Sequence, residues 1–145
     1  MKVLIQRVAQ ASVKVGRQTV GEIDQGLLVL LGVEKNDSEA TAVHMAEKLL
    51  AYRVFGDEQG KMNLSVQDVS GQLLVISQFT LAADTRKGLR PGFSSAAEPF
   101  LAEQLYDYFV AQLQQRCASV ATGQFAADMK VHLINDGPVT FLLEL

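Results

Sequence analysis

Hydrophobic and polar positions along the chain change period several times, and each change marks an element. Val3-Leu4-Ile5-Gln6-Arg7-Val8 and Ser12-Val13-Lys14-Val15 read as two strands, the second with strict period-two alternation, and Gly16 marks a turn after them. Gln18 to Ile23 returns as a third strand. Gly26-Leu27-Leu28-Val29-Leu30-Leu31-Gly32 is apolar throughout and bounded by glycines, the pattern of a central strand with both faces covered. Asp37 or Ser38 then caps a helix predicted to run to about Tyr52, with Ala42, Met45, Ala46 and Leu49 on one buried face and His44, Glu47 and Lys48 opposite.

Gly56-Asp57-Glu58-Gln59-Gly60 supplies turn chemistry, and Gln72-Leu73-Leu74-Val75-Ile76-Ser77 is another apolar strand. A second helix starts at Pro99, a residue suited to a first turn, and carries Leu101, Leu105, Tyr108, Phe109 and Leu113 at helical intervals toward Arg116. Met129 to Ile134 and Val139 to Leu143 read as two strands joined by a tight turn at Asn135-Asp136-Gly137-Pro138. With no repeat, linker or low-complexity tract, residues 1–145 read as one α/β domain: a mixed sheet, flat or barrel-like, with two main helices packed on it.

Composition narrows the chemistry more than the fold. A chain of 145 residues, 48% hydrophobic and 20% charged, has the make-up of a globular domain. The single cysteine, Cys117, leaves no internal disulfide and no CxxC pair, which suits a reducing compartment. The start of the chain lacks the apolar core and cleavage site of a secretion signal, and no stretch is long enough to span a membrane, so a cytoplasmic protein is expected. A net charge of -3 argues against a protein that coats long nucleic acids, although a short RNA end remains compatible. The best basic cluster, Arg86, Lys87 and Arg90, reads as a solvated loop when taken alone.

Familiar catalytic patterns are missing. There is no GxSxG elbow, no HExxH, no Cys/His cluster, no phosphate loop and no GxGxxG, so neither a metal nor a cofactor is expected. His44 reads as an exposed polar residue, and His132 alternates with the apolar side of its strand without a nucleophile beside it. Two segments stand out. Ser77-Gln78-Phe79-Thr80-Leu81-Ala82 brings polar groups abruptly to the end of a buried strand, where open sheets place ligands. Asn135-Asp136-Gly137-Pro138-Val139-Thr140 is the other, and on pattern alone local turn chemistry explains both.

Together, in this order and at these positions, the two segments resemble those of D-aminoacyl-tRNA deacylases. Ile5-Gln6-Arg7-Val8, Gly26 to Val33, Gly60-Lys61-Met62-Asn63-Leu64 and Arg90-Pro91 look like the same family, so the resemblance covers essentially the whole chain. Gly92 departs from it, since many members carry serine between the proline and Phe93. The resemblance implies hydrolysis of the ester joining a D-amino acid to the 3′-terminal adenosine of tRNA, with glycine mischarged on tRNA(Ala) a further substrate.

It also implies a homodimer, in which a cis Gly137-Pro138 turn of one subunit enters the pocket around Ser77 to Thr80 of the other. Backbone N–H groups at Phe79 and Thr80 would stabilise the oxyanion, aided by the ribose hydroxyl, and Ser77 and Gln78 would orient the substrate. Arg7 would brace the incoming turn, while Phe125 and Met129 match positions that pack the terminal adenine. Pattern alone explains Phe125 and Met129 equally well as core residues. The competing reading is a non-catalytic module that holds an RNA end or a small D-amino acid.

Overall fold

The computed structural model describes residues 1–145. Its organising element is a first strand longer than the sequence suggests. The chain from Lys2 to Val15 forms a single strand, β1, where two were expected. Nothing between Val8 and Ser12 turns the backbone round, and register shifts near Val8 bend the strand without ending it.

β1 has only two edges, and the remaining strands divide them. Along one edge, the first half of β1 pairs antiparallel with β3 (Gly26–Gly32) and the second half with β2 (Gln18–Ile23). The whole of the other edge pairs with β8 (Met129–Glu144). β3 continues the sheet through parallel pairing to β6 (Gln72–Ser77), which pairs in parallel with β7 (Val120–Thr122). β2 then swings back against β7, close enough that a Cβ on Gly21 would collide with the Thr122 carbonyl. The result is a mixed, nearly closed barrel-like sheet.

Two helices cover one side of it. α1 (Glu39–Ala51) follows β3, and Ser38 caps it in a reciprocal box with Thr41. α2 (Pro99–Gln114) has proline in its first turn and joins the β6 end of the sheet to β7. A two-stranded hairpin, β4 (Phe55–Gly56) with β5 (Met62–Leu64), closes over the predicted Gly56 to Gly60 turn.

The glycine-bounded apolar run is explained by which face each residue serves. Leu27, Val29, Leu31, Leu73 and Val75 pack with Met45, Leu49, Leu105 and Phe109 of the helices in the larger core. Leu28, Leu74 and Ile76 point the other way, into a second core with Val8, Ala11, Val13 and Ile23 inside the barrel. Strands between these two cores have no solvated face, so their sequence does not alternate. His44 is exposed, as its place on the helix predicted.

The C-terminal pair of strands requires a second correction. Met129–Glu144 is one strand, because the residues on both sides of the Gly-Pro segment run in the same direction along β1. Gln6 pairs with Thr140 and Val8 with Asn135, so residues 136 to 139 loop out opposite Arg7 and the chain resumes its course. A hairpin turn would have reversed it.

Candidate functional site: a cleft at the end of β6 and a loop on β8

β6 ends at Ser77, where the apolar run stops and the chain tightens into one turn of 3-10 helix, Phe79–Ala82. Gly32, at the end of β3, permits this turn to fold over the sheet: a Cβ there would lie 2.8 Å from Leu81 Cβ and 3.1 Å from the Gln78 carbonyl. The Gln78 N–H bonds the Leu31 carbonyl at 2.7 Å and anchors the corner. The N–H groups that open a helical turn have no partner within it, and here these belong to Phe79 and Thr80.

Beside this corner lies a cleft of about 490 Å³ lined by Ser77, Gln78, Phe79, Phe125 and Met129, with Val33, Ala97 and Pro99 among its walls. The structure therefore brings together five of the nine residues singled out by sequence. Thr80 adjoins the cleft without lining it; its side chain is exposed and accepts a short hydrogen bond from Gln78 Nε2. Phe79 is 58% exposed and packs against Phe93, ring centres 5.2 Å apart. Phe125 is half-buried, 6.1 Å from the ring of Tyr106, and is followed by Ala126 at φ +59°, unusual for a residue with a side chain.

Sequence reasoning missed the small walls at Ala97, Ala102, Ala126 and Ala127, which leave the space. Nothing in an alanine's immediate neighbours announces that it faces a cavity. A larger, predominantly polar groove of about 610 Å³ lies elsewhere, along Ser12, Glu22 and His132, and contains none of the candidate residues. The smaller cleft, mostly apolar with a few convergent polar groups, has the character of a ligand site. No cluster of three or more His, Cys, Asp or Glu side chains is placed to hold a metal ion.

Arg7, Gly137 and Pro138 are not part of the cleft. They form a second constellation on the loop of β8. The Gly137-Pro138 peptide is cis, and both residues are exposed. Below them the loop is tied down. Asn135 Oδ1 accepts from the Val139 N–H at 2.6 Å, and Asn135 Nδ2 donates to Thr140 Oγ1 at 2.9 Å, closing the neck. Val139 is buried in the larger core. Arg7 donates to the Asp136 carbonyl at 2.9 Å and to the Val54 carbonyl at 2.7 Å, so within one chain it ties the loop to β1.

Comparison with known proteins gives a consistent picture. Residues 4–144 match the model of the family described as D-Tyr-tRNA(Tyr) deacylase. The chain is 66% identical over 142 residues to the D-aminoacyl-tRNA deacylase of Cellvibrio japonicus (strain Ueda107), covering 98% of this chain and 97% of that one. It is 63% identical to the protein of the same name from Saccharophagus degradans (strain 2-40), over the full length of both.

Among solved structures, the "c-Myc DNA Unwinding Element Binding Protein" superposes with a TM-score of 0.95 at 42% identity, covering 100% of this chain and 99% of that one. A probable eukaryotic D-amino acid tRNA deacylase shares the fold with a TM-score of 0.87 at 16% identity, covering 99% of this chain and 98% of the other. Matched along nearly its whole length, this chain belongs to the D-Tyr-tRNA(Tyr) deacylase family.

Proposed function

We propose that the protein hydrolyses the ester between a D-amino acid and the 3′-terminal adenosine of tRNA, returning free tRNA to the cytoplasmic pool. The observation that carries this reading is the single cleft in which the Ser77 to Phe79 corner faces Phe125 and Met129. An aromatic ring and a thioether suit an adenine face, and the corner lining the same cleft suits the ester.

In this reading the terminal adenosine packs on Phe125 and Met129, while Ser77 and Gln78 orient the aminoacyl group. The oxyanion forms against the N–H groups of Phe79 and Thr80, where one well-placed donor is worth about 3 kcal/mol. The adjacent ribose hydroxyl helps to activate water. An aminoacyl ester is labile already, so positioning with oxyanion stabilisation suffices without a side-chain base.

Chiral selection comes from a second copy of the chain. The exposed Gly137-Pro138 loop of one subunit enters the cleft of the other, its carbonyls receive the amino group of a D-residue, and an L side chain finds no room. Support for the dimer comes from the tied neck of the loop, and from exposed Ile134 and Leu142 on either side of it. Glycine, with no side chain to reject, passes the same filter, so glycyl-tRNA(Ala) is a further substrate.

Two measurements test the proposal. Chelator-treated protein should release tyrosine from D-Tyr-tRNA faster than the spontaneous rate, and light scattering should give twice the chain mass. Spontaneous release alone would leave a binding module as the better reading. A single-chain mass would exclude a shared site.

A further inference from the structure

The terminal adenosine and its amino acid account for the cleft but not for the polyanion that must leave it. A protein of net charge -3 offers that polyanion little general attraction. The segment between the 3-10 turn and α2 is the local exception. It leaves the cleft wall after Phe79 and rejoins it at Ala97, whose N–H bonds the Val33 carbonyl at 3.1 Å. Between those points the chain closes into a loop through paired backbone bonds of Asp84 and Gly92, at 2.7 and 3.0 Å. The Phe79 to Phe93 contact fastens this loop to the rim of the cleft.

The loop carries Arg86, Lys87 and Arg90 against one carboxylate, Asp84, and all three cations are exposed. Arg86 is engaged with Asp84 through a two-pronged pair, Nε at 2.9 Å and Nη2 at 2.8 Å, which stiffens the neck. Lys87 and Arg90 have no carboxylate partner. Two free cations thus stand on a fastened loop at the exit of a cleft that takes the end of an RNA.

We propose that the loop from Asp84 to Phe93 is the seat of the tRNA acceptor stem, with Lys87 and Arg90 meeting backbone phosphates beyond the terminal adenosine. The inference rests on the deacylase reading. Contacts of this kind carry no sequence information, so they serve every tRNA alike and leave amino-acid selection to the cleft.

The test is the double variant Lys87→Ala with Arg90→Ala, compared with wild type on D-Tyr-tRNA and on D-tyrosyl-adenosine, together with binding of uncharged tRNA across a salt titration. Loss of two phosphate contacts should make the slope of log affinity against log salt shallower by about 1.4 to 1.8. It should also lower kcat/KM on tRNA by about ten-fold at low salt while leaving the adenosine ester unaffected. The charge-keeping pair Lys87→Arg with Arg90→Lys should restore tRNA binding, which a loop merely disrupted by substitution would not do.

An unchanged salt slope, or equal losses on tRNA and adenosine ester, would overturn the assignment while leaving the deacylase reading intact. If wild type hydrolyses neither ester, the deacylase reading fails, and a shallower salt slope in the variant would still support the loop as an RNA-binding surface.

Discussion

Substituting Gly137 by alanine probes the loop on which selectivity is proposed to depend. Gly137 has φ +143°, a region that glycine enters readily and L residues rarely occupy. A Cβ there would lie 2.6 Å from Val139 Cγ2 and 3.1 Å from Arg7 Nη2. Backbone strain of this kind costs about 1–3 kcal/mol and crowding about 1–3 kcal/mol more, and the exposed loop can relax part of it, so about 2–4 kcal/mol is expected. For a chain of this size that lowers Tm by about 6–12 °C, measured by calorimetry at fixed protein concentration because dimerisation would otherwise contribute.

Relaxation has to move the Asp136 carbonyl or Val139, the two points that hold the loop. The ratio of D- to L-Tyr-tRNA hydrolysis should therefore fall by at least about ten-fold, equivalent to 1.4 kcal/mol. A Tm within about 2 °C of wild type together with an unchanged ratio would refute both the strain argument and the loop's role.

Other substitutions separate the remaining parts of the account. Phe125→Ala should raise KM for D-Tyr-tRNA by roughly 5- to 150-fold with little change in kcat, because base stacking on an aromatic ring is worth about 1–3 kcal/mol. Thr80→Ala should retain activity within about ten-fold if the backbone N–H is what matters, whereas loss of a true nucleophile costs on the order of 10⁴-fold or more. Tyr106→Phe removes a buried hydrogen bond to the Val75 carbonyl at 2.9 Å, but that carbonyl also accepts from the Gly123 N–H at 3.0 Å, so the cost should be only about 0.5–1.5 kcal/mol. Burial, with Asp107 adding to it, pushes the Tyr106 hydroxyl from 10.0 up to about 12. The unfolded chain therefore loses this proton first, stability falls as pH rises from 10 toward 12, and denaturation curves of Tyr106→Phe should show a smaller alkaline loss.

Much of the architecture was legible because local and global signals agree. The limits of β2 and β3, the Ser38 cap and the buried face of α1 follow directly from period and capping chemistry. The two errors share a cause. Whether Ala9-Gln10-Ala11 or Asn135 to Val139 interrupts a strand or only bends it depends on what pairs alongside, and pairing partners lie far away in sequence. β7, three residues long with half-buried side chains, carries too little pattern to be read.

At the site, the abrupt polarity after Ile76 did point to the cleft corner, and Phe125 and Met129 line the same space. Arg7 was singled out only through the family resemblance, since pattern alone gives no more than a surface charge. Its service to Asp136 and Val54 within one chain depends on β1 and β8 lying side by side.

The most direct test of the account compares kcat/KM of wild-type protein for D-Tyr-tRNA and L-Tyr-tRNA under identical conditions. A site that selects by excluding the L side chain predicts rapid loss of the D ester while the L ester decays at its spontaneous rate. Equal enzymatic hydrolysis of the two would show that the Gly137-Pro138 loop does not enforce chirality, and would contradict the account at its centre.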